Sequence, residues 1–313
     1  MKYFKNSKDF YLKSLKAPEK IVSAILDTDT YNEIDDQFAL VYMLLATDRV
    51  RMRGITAAPF FNNRSKSPGD GMEKSYREIC NLLKLMQCEN ICPVKLGSNR
   101  FMENCNSPVM SPAADFIVEQ ACEHGRRGET LYIVAIGAIT NVASAIVINP
   151  EIIHNITVVW LGGHPYYWPQ QDEFNLRQDV GAVQVVFDSG VPLVHVPCKN
   201  VAEQVRSCPA ELEKYAKDRG AIGDYLYESF CAFRKDNFAM TKEIWDMAAA
   251  AWLINPECMA SEIISAPSLN DKREWDLSDR SRHSIRIISD IRRDTIFKDF
   301  FLRLDAYRSR FQD

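Results

Sequence analysis

The chain has 313 residues, 46% of them apolar and 26% charged, with a formal net charge of −4. That balance suits a folded globular protein, argues against disorder, and offers no basic face to nucleic acid or an anionic membrane. No apolar stretch approaches the roughly 18 residues of a membrane span, and the nine cysteines stand singly, as expected of free thiols in the cytoplasm.

In chain order, residues 1–19 are basic and aromatic without a signal-like apolar core, and they read as a surface arm or short helix ahead of a single domain over 20–313. "IVSAIL" (Ile21–Leu26) reads as a buried strand, and a helix through about Thr47 follows an acidic turn. "RMRGITAA" (Arg51–Ala58) is a second strand, with "MEKSYREICNLLKLM" helical after it. "TLYIVAIG" (Thr130–Gly137), "NITVVWLGG" (Asn155–Gly163) and "VPLVHVP" (Val191–Pro197) are further strands, with "AITNVASAIVINP" helical after the first of them. The stretch from Cys208 to Trp252 is mostly helical, "SIRIIS" is a late strand, and Arg293–Phe311 forms an amphipathic helix. Apolar strands alternating with helices predict an α/β fold: a mainly parallel open sheet with helices on both faces, carrying a mostly helical insertion.

In such sheets, sites form where loops leave the carboxyl ends of strands. Three polar loops do so here: the acidic turn after "IVSAIL", "GAITN" after "LYIVAI", and "GGHPYYWPQQDEFN" after "ITVVWL". The acidic turn holds Asp27, Asp29, Glu33, Asp35 and Asp36. Mutual repulsion makes that cluster costly unless something positive sits among the carboxylates or most of them face open water, and an all-oxygen set suits Ca²⁺ or Mg²⁺. Asp27 and Asp29, two apart at a strand end, are expected to point the same way, and Asp35 and Asp36 open a helix where a carboxylate can cap. An EF-hand is excluded, because Asn32 and Phe38 stand where that loop needs Gly and Glu. "LDTDT" also fits the D-x-D-x-[TV] signature of haloacid-dehalogenase-type Mg²⁺ phosphatases, with Asp27 as nucleophile, although the late acidic pair of those enzymes is missing.

More of the chain is accounted for by a different likeness. Asp27-Thr28-Asp29 with Asp35-Asp36, "PFFNN" (Pro59–Asn63), "VAIGAITN" (Val134–Asn141), "WLGGHPYYWPQQDEFN" (Trp160–Asn175) and "WDMAAAAWL" (Trp245–Leu253) stand in the order of the nucleoside hydrolase motifs. Over about residues 20–255 the sequence resembles that family, the inosine-uridine-preferring type. The resemblance implies a Ca²⁺-dependent ribonucleoside hydrolase that yields free base and ribose, active as a homodimer or homotetramer. It implies that Asp29, Asp36, Asp246 and the carbonyl of Ile136 hold Ca²⁺, that Asp29 is the base, and that Asp35, Glu173, Asn175 and one of Asn62 or Asn63 bind ribose. Asp27 would orient the cluster.

Three departures bear on chemistry. Five residues, "TYNEI", separate Asp29 from Asp35 where the family usually has three, so Asp36 is either retained on a bulge or displaced from the metal, with Glu33 an extra ligand or a solvated loop residue. Trp245 precedes the late Asp where pyrimidine-accepting members commonly have His, which resembles the purine-preferring branch. His164 stands where an Asn usually meets the 5′-hydroxyl, and it can make that contact or act as an acid. A relative that binds nucleoside or ribose without turnover is the remaining alternative.

Overall fold

The computed structural model describes residues 6–308. Its main sheet has strands β1 (Val22–Thr28), β2 (Val50–Ala57), β3 (Val94–Lys95), β4 (Leu131–Ala135), β5 (Ile156–Leu161), β6 (Leu193–Val196), β7 (Met259–Ser265) and β8 (Ser284–Ile291). Their spatial order is β3-β2-β1-β4-β5-β6-β8-β7, and every pairing is parallel except β8 with β7.

The central strands are continuous apolar runs because both faces are covered. Alternation sends Ala24, Leu26, Val134 and Leu161 into one core and Ile25, Ile133, Val158 and Trp160 into the other. The first core is roofed by α1 (Lys8–Ser14), α2 (Asp36–Leu45), α3 (Pro68–Leu85), α8 (Pro209–Tyr215), α9 (Gly220–Ala232), α10 (Met247–Ile254) and α11 (Arg293–Arg308). The second lies under α4 (Pro112–Arg126), α5 (Thr140–Ile148), α6 (Phe174–Gln178) and α7 (Val180–Asp188).

The α/β expectation holds, with refinements at the periphery. The helical stretch after Cys208 divides in two. Helices α8 and α9 are followed by a short antiparallel pairing of Lys242–Glu243 with Arg206–Ser207, whereas α10, buried on every side, packs on α2 as part of the core. The edge strand β7, whose burial alternates, is absent from the sequence reading because its "MASEIIS" pattern is too polar to look like the inner strands. The 1–19 arm lies partly outside the described residues, as does the predicted continuation of α11 to Phe311. Within the arm α1 is docked rather than free: Tyr11 is buried and its hydroxyl donates to the Gly190 carbonyl at 2.8 Å. Among the described residues, no helix is long and apolar enough to cross a membrane.

Strand order reverses at β1. The chain runs outward through β2 and β3 on one side, then returns to β4 and continues through β5 and β6 on the other. The crevice between the carboxyl ends of β1 and β4 is the topological switch point, where loops diverge and a ligand can enter.

Candidate active site

Asp27 and Asp29 separate at the end of β1, contrary to the expectation that they point alike. Asp27 lies opposite Thr56 of β2 and Ala135 of β4. Its Oδ1 accepts from Thr56 Oγ1 at 2.6 Å and from Asn141 Nδ2 at 2.7 Å. Asn141 also donates to the Ala57 carbonyl at 3.1 Å and accepts from Ser98 N and Oγ, each at 2.8 Å. Asp27 is wholly buried behind the crevice, and burial pushes its carboxyl up to about 6. A nucleophile cannot attack from there, which removes the phosphatase reading of "LDTDT". Asn141→Ala is expected to cost about 3 kcal/mol in denaturant unfolding, because Asp27 loses a donor and the Ser98 N–H is left buried without an acceptor. A loss below about 1 kcal/mol would contradict this bracing role.

Beyond Thr28, where the strand ends, Asp29 turns into the crevice and meets Asp35, Asp36 and Asp246. All four are 4% exposed or less. Asp35 stands at the N-terminus of α2 and Asp246 at that of α10, yet neither side chain caps its helix. The carboxylates are thus left for the cavity, while two helix termini turn their positive ends towards them. Oxygens of Asp35, Asp36 and Asp246 all lie within 4.8 Å of one another. Carboxyl-to-carboxyl hydrogen bonds join Asp29 to Asp36, Asp36 to Asp246, and Asp246 to Asp35. Thr28 Oγ1 donates to Asp36 Oδ1. Gly137 at the end of β4 makes room for the group, since a Cβ there would lie 2.9 Å from Asp29 Cγ.

Burial is the first cause of every raised carboxyl in this cluster. It lifts Asp29 and Asp246 well above the carboxylate range, with neighbouring aspartates adding to it. Burial and then Asp35 bring Asp36 to about 8. Asp35 reaches only about 6, because Lys242 offsets part of its burial. Carboxyl groups that hydrogen-bond one another must share protons, so a cation is the natural replacement for those protons. Asp29 Oδ2 has no partner at all. An oxygen-only, buried donor set of this kind fits a hard divalent cation. The Ile136 carbonyl lines the same cavity and accepts from Asn175 Nδ2 at 3.2 Å, with a second lone pair left over.

The enlarged loop is absorbed as a pinned bulge, and Asp35-Asp36 keep their place at the helix start. Asn32 N closes a turn onto the Asp29 carbonyl at 2.7 Å. Arg64 Nη1 reaches the carbonyls of Asn32 and Glu33, both at 3.3 Å, and its guanidinium lies 4.4 Å from the centre of the Tyr31 ring. Glu33 is neither an added ligand nor merely solvated: it pairs at 2.6 Å with Lys242. Burial works against the Lys242 ammonium, but Asp35 and Glu33 outweigh it and raise its pKa. Asn62 and Asn63 are not brought to the cavity. Asn62 Nδ2 is committed to Asn32 Oδ1 at 2.6 Å and Asn63 faces solvent, so it is Asn32 that lines the pocket on that side.

Glu173, Asn175, His164 and Trp245 complete a cavity of about 330 Å³. Glu173 caps α6, accepting from the backbone N–H groups of Gly163 (2.7 Å), Asn175 (2.9 Å) and Leu176 (2.9 Å). Asn175 also donates to the Leu161 carbonyl at 3.1 Å. His164 leaves Nδ1 buried without a partner, and burial followed by the Lys199 charge depresses its pKa. In the aromatic loop, Tyr166 turns inward to His195 at 2.7 Å while Tyr167 is 72% exposed, so only Trp168, packed edge-on to His164, stays beside the site. Lys242, Cys198, Arg177 and Lys199 were not singled out from the sequence. They lie in stretches with no recognisable motif, and only the fold brings them to the crevice.

A sheet of this order with a buried, oxygen-only carboxylate cluster at its switch point defines an α/β scaffold whose crevice can hold a hard cation. The family described as inosine-uridine preferring nucleoside hydrolase matches residues 24–298, and the chain belongs to that family, whose members hydrolyse the N-glycosidic bond of nucleosides. It is 27% identical over 256 residues to the pyrimidine-specific ribonucleoside hydrolase RihA of Klebsiella pneumoniae, covering 71% of this chain and 77% of that one. Its fold is similar to a plant nucleoside hydrolase (TM-score 0.71, 19% identity, 92% and 100% of the two chains). It is also similar to a purine-preferring ribonucleoside hydrolase from Gardnerella vaginalis (TM-score 0.68, 19% identity, 91% and 99%).

Proposed function

We propose that this chain is a Ca²⁺-dependent ribonucleoside N-ribohydrolase that favours purines and releases free base and ribose. The observation that carries the reading is the convergence of Asp29, Asp35, Asp36 and Asp246 in one buried cavity at the switch point. In this reading Asp29, Asp36, Asp246 and the Ile136 carbonyl hold the cation. When bound, it supplies a water of lowered pKa and an anchor for vicinal hydroxyls.

The protein's own groups do the rest. Asp29, whose Oδ2 has no other partner, takes the proton of the attacking water. Asp35, Glu173 and Asn175 hold the ribose hydroxyls and so select against deoxyribose, with Asn32 in the place where Asn62 or Asn63 was expected. Positive charge that develops over C1′ and the ring oxygen is stabilised by the surrounding carboxylates. Trp245, half-buried on the cavity wall, stacks on the base and raises its proton affinity, and His164 contacts the 5′ end of the sugar. The cytoplasm is the compartment that fits, its support being nine free cysteines.

The test is base release from inosine, adenosine and uridine, with Ca²⁺ or with a chelator. Release that is chelator-sensitive and faster for the two purines is expected; equal rates under chelation would overturn the metal assignment, and inertness towards all three would overturn cleavage of free nucleosides. Trp245→Ala should slow purine release about 10–100-fold more than cleavage of nitrophenyl riboside, whose leaving group needs no activation. Equal losses on both substrates would refute stacking.

A further inference from the structure

The cavity is bipolar. Its floor is carboxylate, but its rim carries Lys199, Arg177 and His164 alongside Glu33 and Asp172. Lys199 lies 5.9 Å from the Trp245 ring centre, Arg177 lies 5.3 Å from that of Phe174, and His164 feels both Lys199 and Asp172, the carboxylate that Arg177 pairs with. From these contacts we infer that the substrate is a ribonucleoside 5′-monophosphate, its phosphate held by Arg177, Lys199 and His164. The inference rests on the ribose placement proposed above.

Two arguments lead there. The first is stereochemical: in a β-ribonucleoside the 2′- and 3′-hydroxyls project from one face of the sugar, and the base and C5′ from the other. A ribose with its hydroxyls on the carboxylate floor therefore presents its 5′ substituent to the rim.

The second concerns charge. Asp172 is already held by Arg273 at 2.6 Å, against 3.5 Å for Arg177. Glu203 is shared by Lys199 at 2.9 Å and Arg206 at 3.3 Å, and Arg206 also pairs with Glu243. Four cations thus meet three carboxylates, an excess of one positive charge, and Arg177 and Lys199 are the two of the four that line the cavity. Their side chains are 41% and 36% exposed. Pairs this exposed are worth about 0–1 kcal/mol, so exchanging them for a phosphate costs little. A neutral 5′-hydroxyl would bury those charges and return nothing, whereas a phosphate of about −1.5 to −2 offers three acceptors to a guanidinium and an ammonium.

The experiment compares kcat/KM for inosine and inosine 5′-monophosphate, and for adenosine and its 5′-monophosphate, in the wild type and in the Arg177→Met/Lys199→Met double variant. Ribose and ribose 5-phosphate are titrated into both proteins by calorimetry. The expected result is at least a tenfold preference for each monophosphate and tighter binding of ribose 5-phosphate, with both advantages cut at least tenfold in the double variant. A monophosphate-to-nucleoside ratio at or below one, or a ratio the double variant leaves unchanged, overturns the inference while chelator-sensitive nucleoside cleavage leaves the hydrolase reading standing. Inert nucleosides and monophosphates with a ribose 5-phosphate preference that the double variant abolishes would do the reverse, supporting the anion site and refuting hydrolysis. Ribose 5-phosphate binding no tighter than ribose, with no turnover, overturns both.

Discussion

Asp29→Ala is expected to lower kcat for base release by about 10³–10⁴-fold while raising, not lowering, the melting temperature of the metal-free protein. The two effects share a cause. Asp29 is 1% exposed, its Oδ2 has no partner, and burial together with Asp36 and Asp35 opposes its ionisation. Such a carboxylate is a liability to the fold and an asset only to the reaction, where it is proposed to bind the cation and take a proton. Removing it relieves repulsion and leaves the Asp27–Thr56–Asn141 brace untouched. A structural role for Asp29 predicts the opposite signature, a lowered melting temperature with kcat nearly preserved. Near-normal kcat in the variant would end its assignment as the base.

The layout of the fold was legible because parallel strands buried on both faces leave continuous apolar runs, and "LYIVA" and "ITVVWL" have no other plausible role. The acidic cluster was legible for a related reason: five carboxylates at one strand end need a physical explanation. Which of them share a space was not. β1 ends at Thr28, so period-two reasoning, applied one residue too far, wrongly paired Asp27 with Asp29. Asp35 looked like a helix cap, yet it makes no capping bond, because the cavity, not the helix end, sets its orientation. The outcome of the "TYNEI" insertion depended on Arg64, Asn62 and Lys242, distant in sequence and joined to it only by tertiary packing. The rim charges were invisible for the same reason. A lysine after "VPC" and an arginine in "FNLRQ" carry no signal until the loops meet.

Chelated protein is expected to melt at progressively lower temperature as pH rises from 6.5 to 8.5, and saturating Ca²⁺ to abolish that slope. Asp36 stands at about 8 in the folded chain against an ordinary 3.8, and Asp29 and Asp246 are also raised well above that value. A carboxyl whose folded pKa exceeds its unfolded one binds more protons when folded. Its contribution is therefore present below the unfolded value and lost as pH climbs through the folded one. Asp35 and Asp27, at about 6, have largely released their protons below this window. His195 and His283, depressed by burial to about 4, act in the opposite sense but only below their ordinary 6.5, which is why the window starts there. A tenfold difference in proton affinity between the folded and unfolded chain corresponds to about 1.4 kcal/mol, and a chain of this size moves by roughly 2–4 °C per kcal/mol. A fall of roughly 5 °C or more between the two pH values follows for the chelated protein. A cation that takes the place of the shared protons needs the carboxylates ionised, so its stabilisation grows with pH and proton release accompanies its binding. Calorimetric scans at pH 6.5, 7.5 and 8.5, with chelator and with Ca²⁺, measure both slopes. A chelated protein whose melting temperature stays flat or rises across this range would mean that the cluster is not proton-linked, and the case for a cation in its place would fall with it.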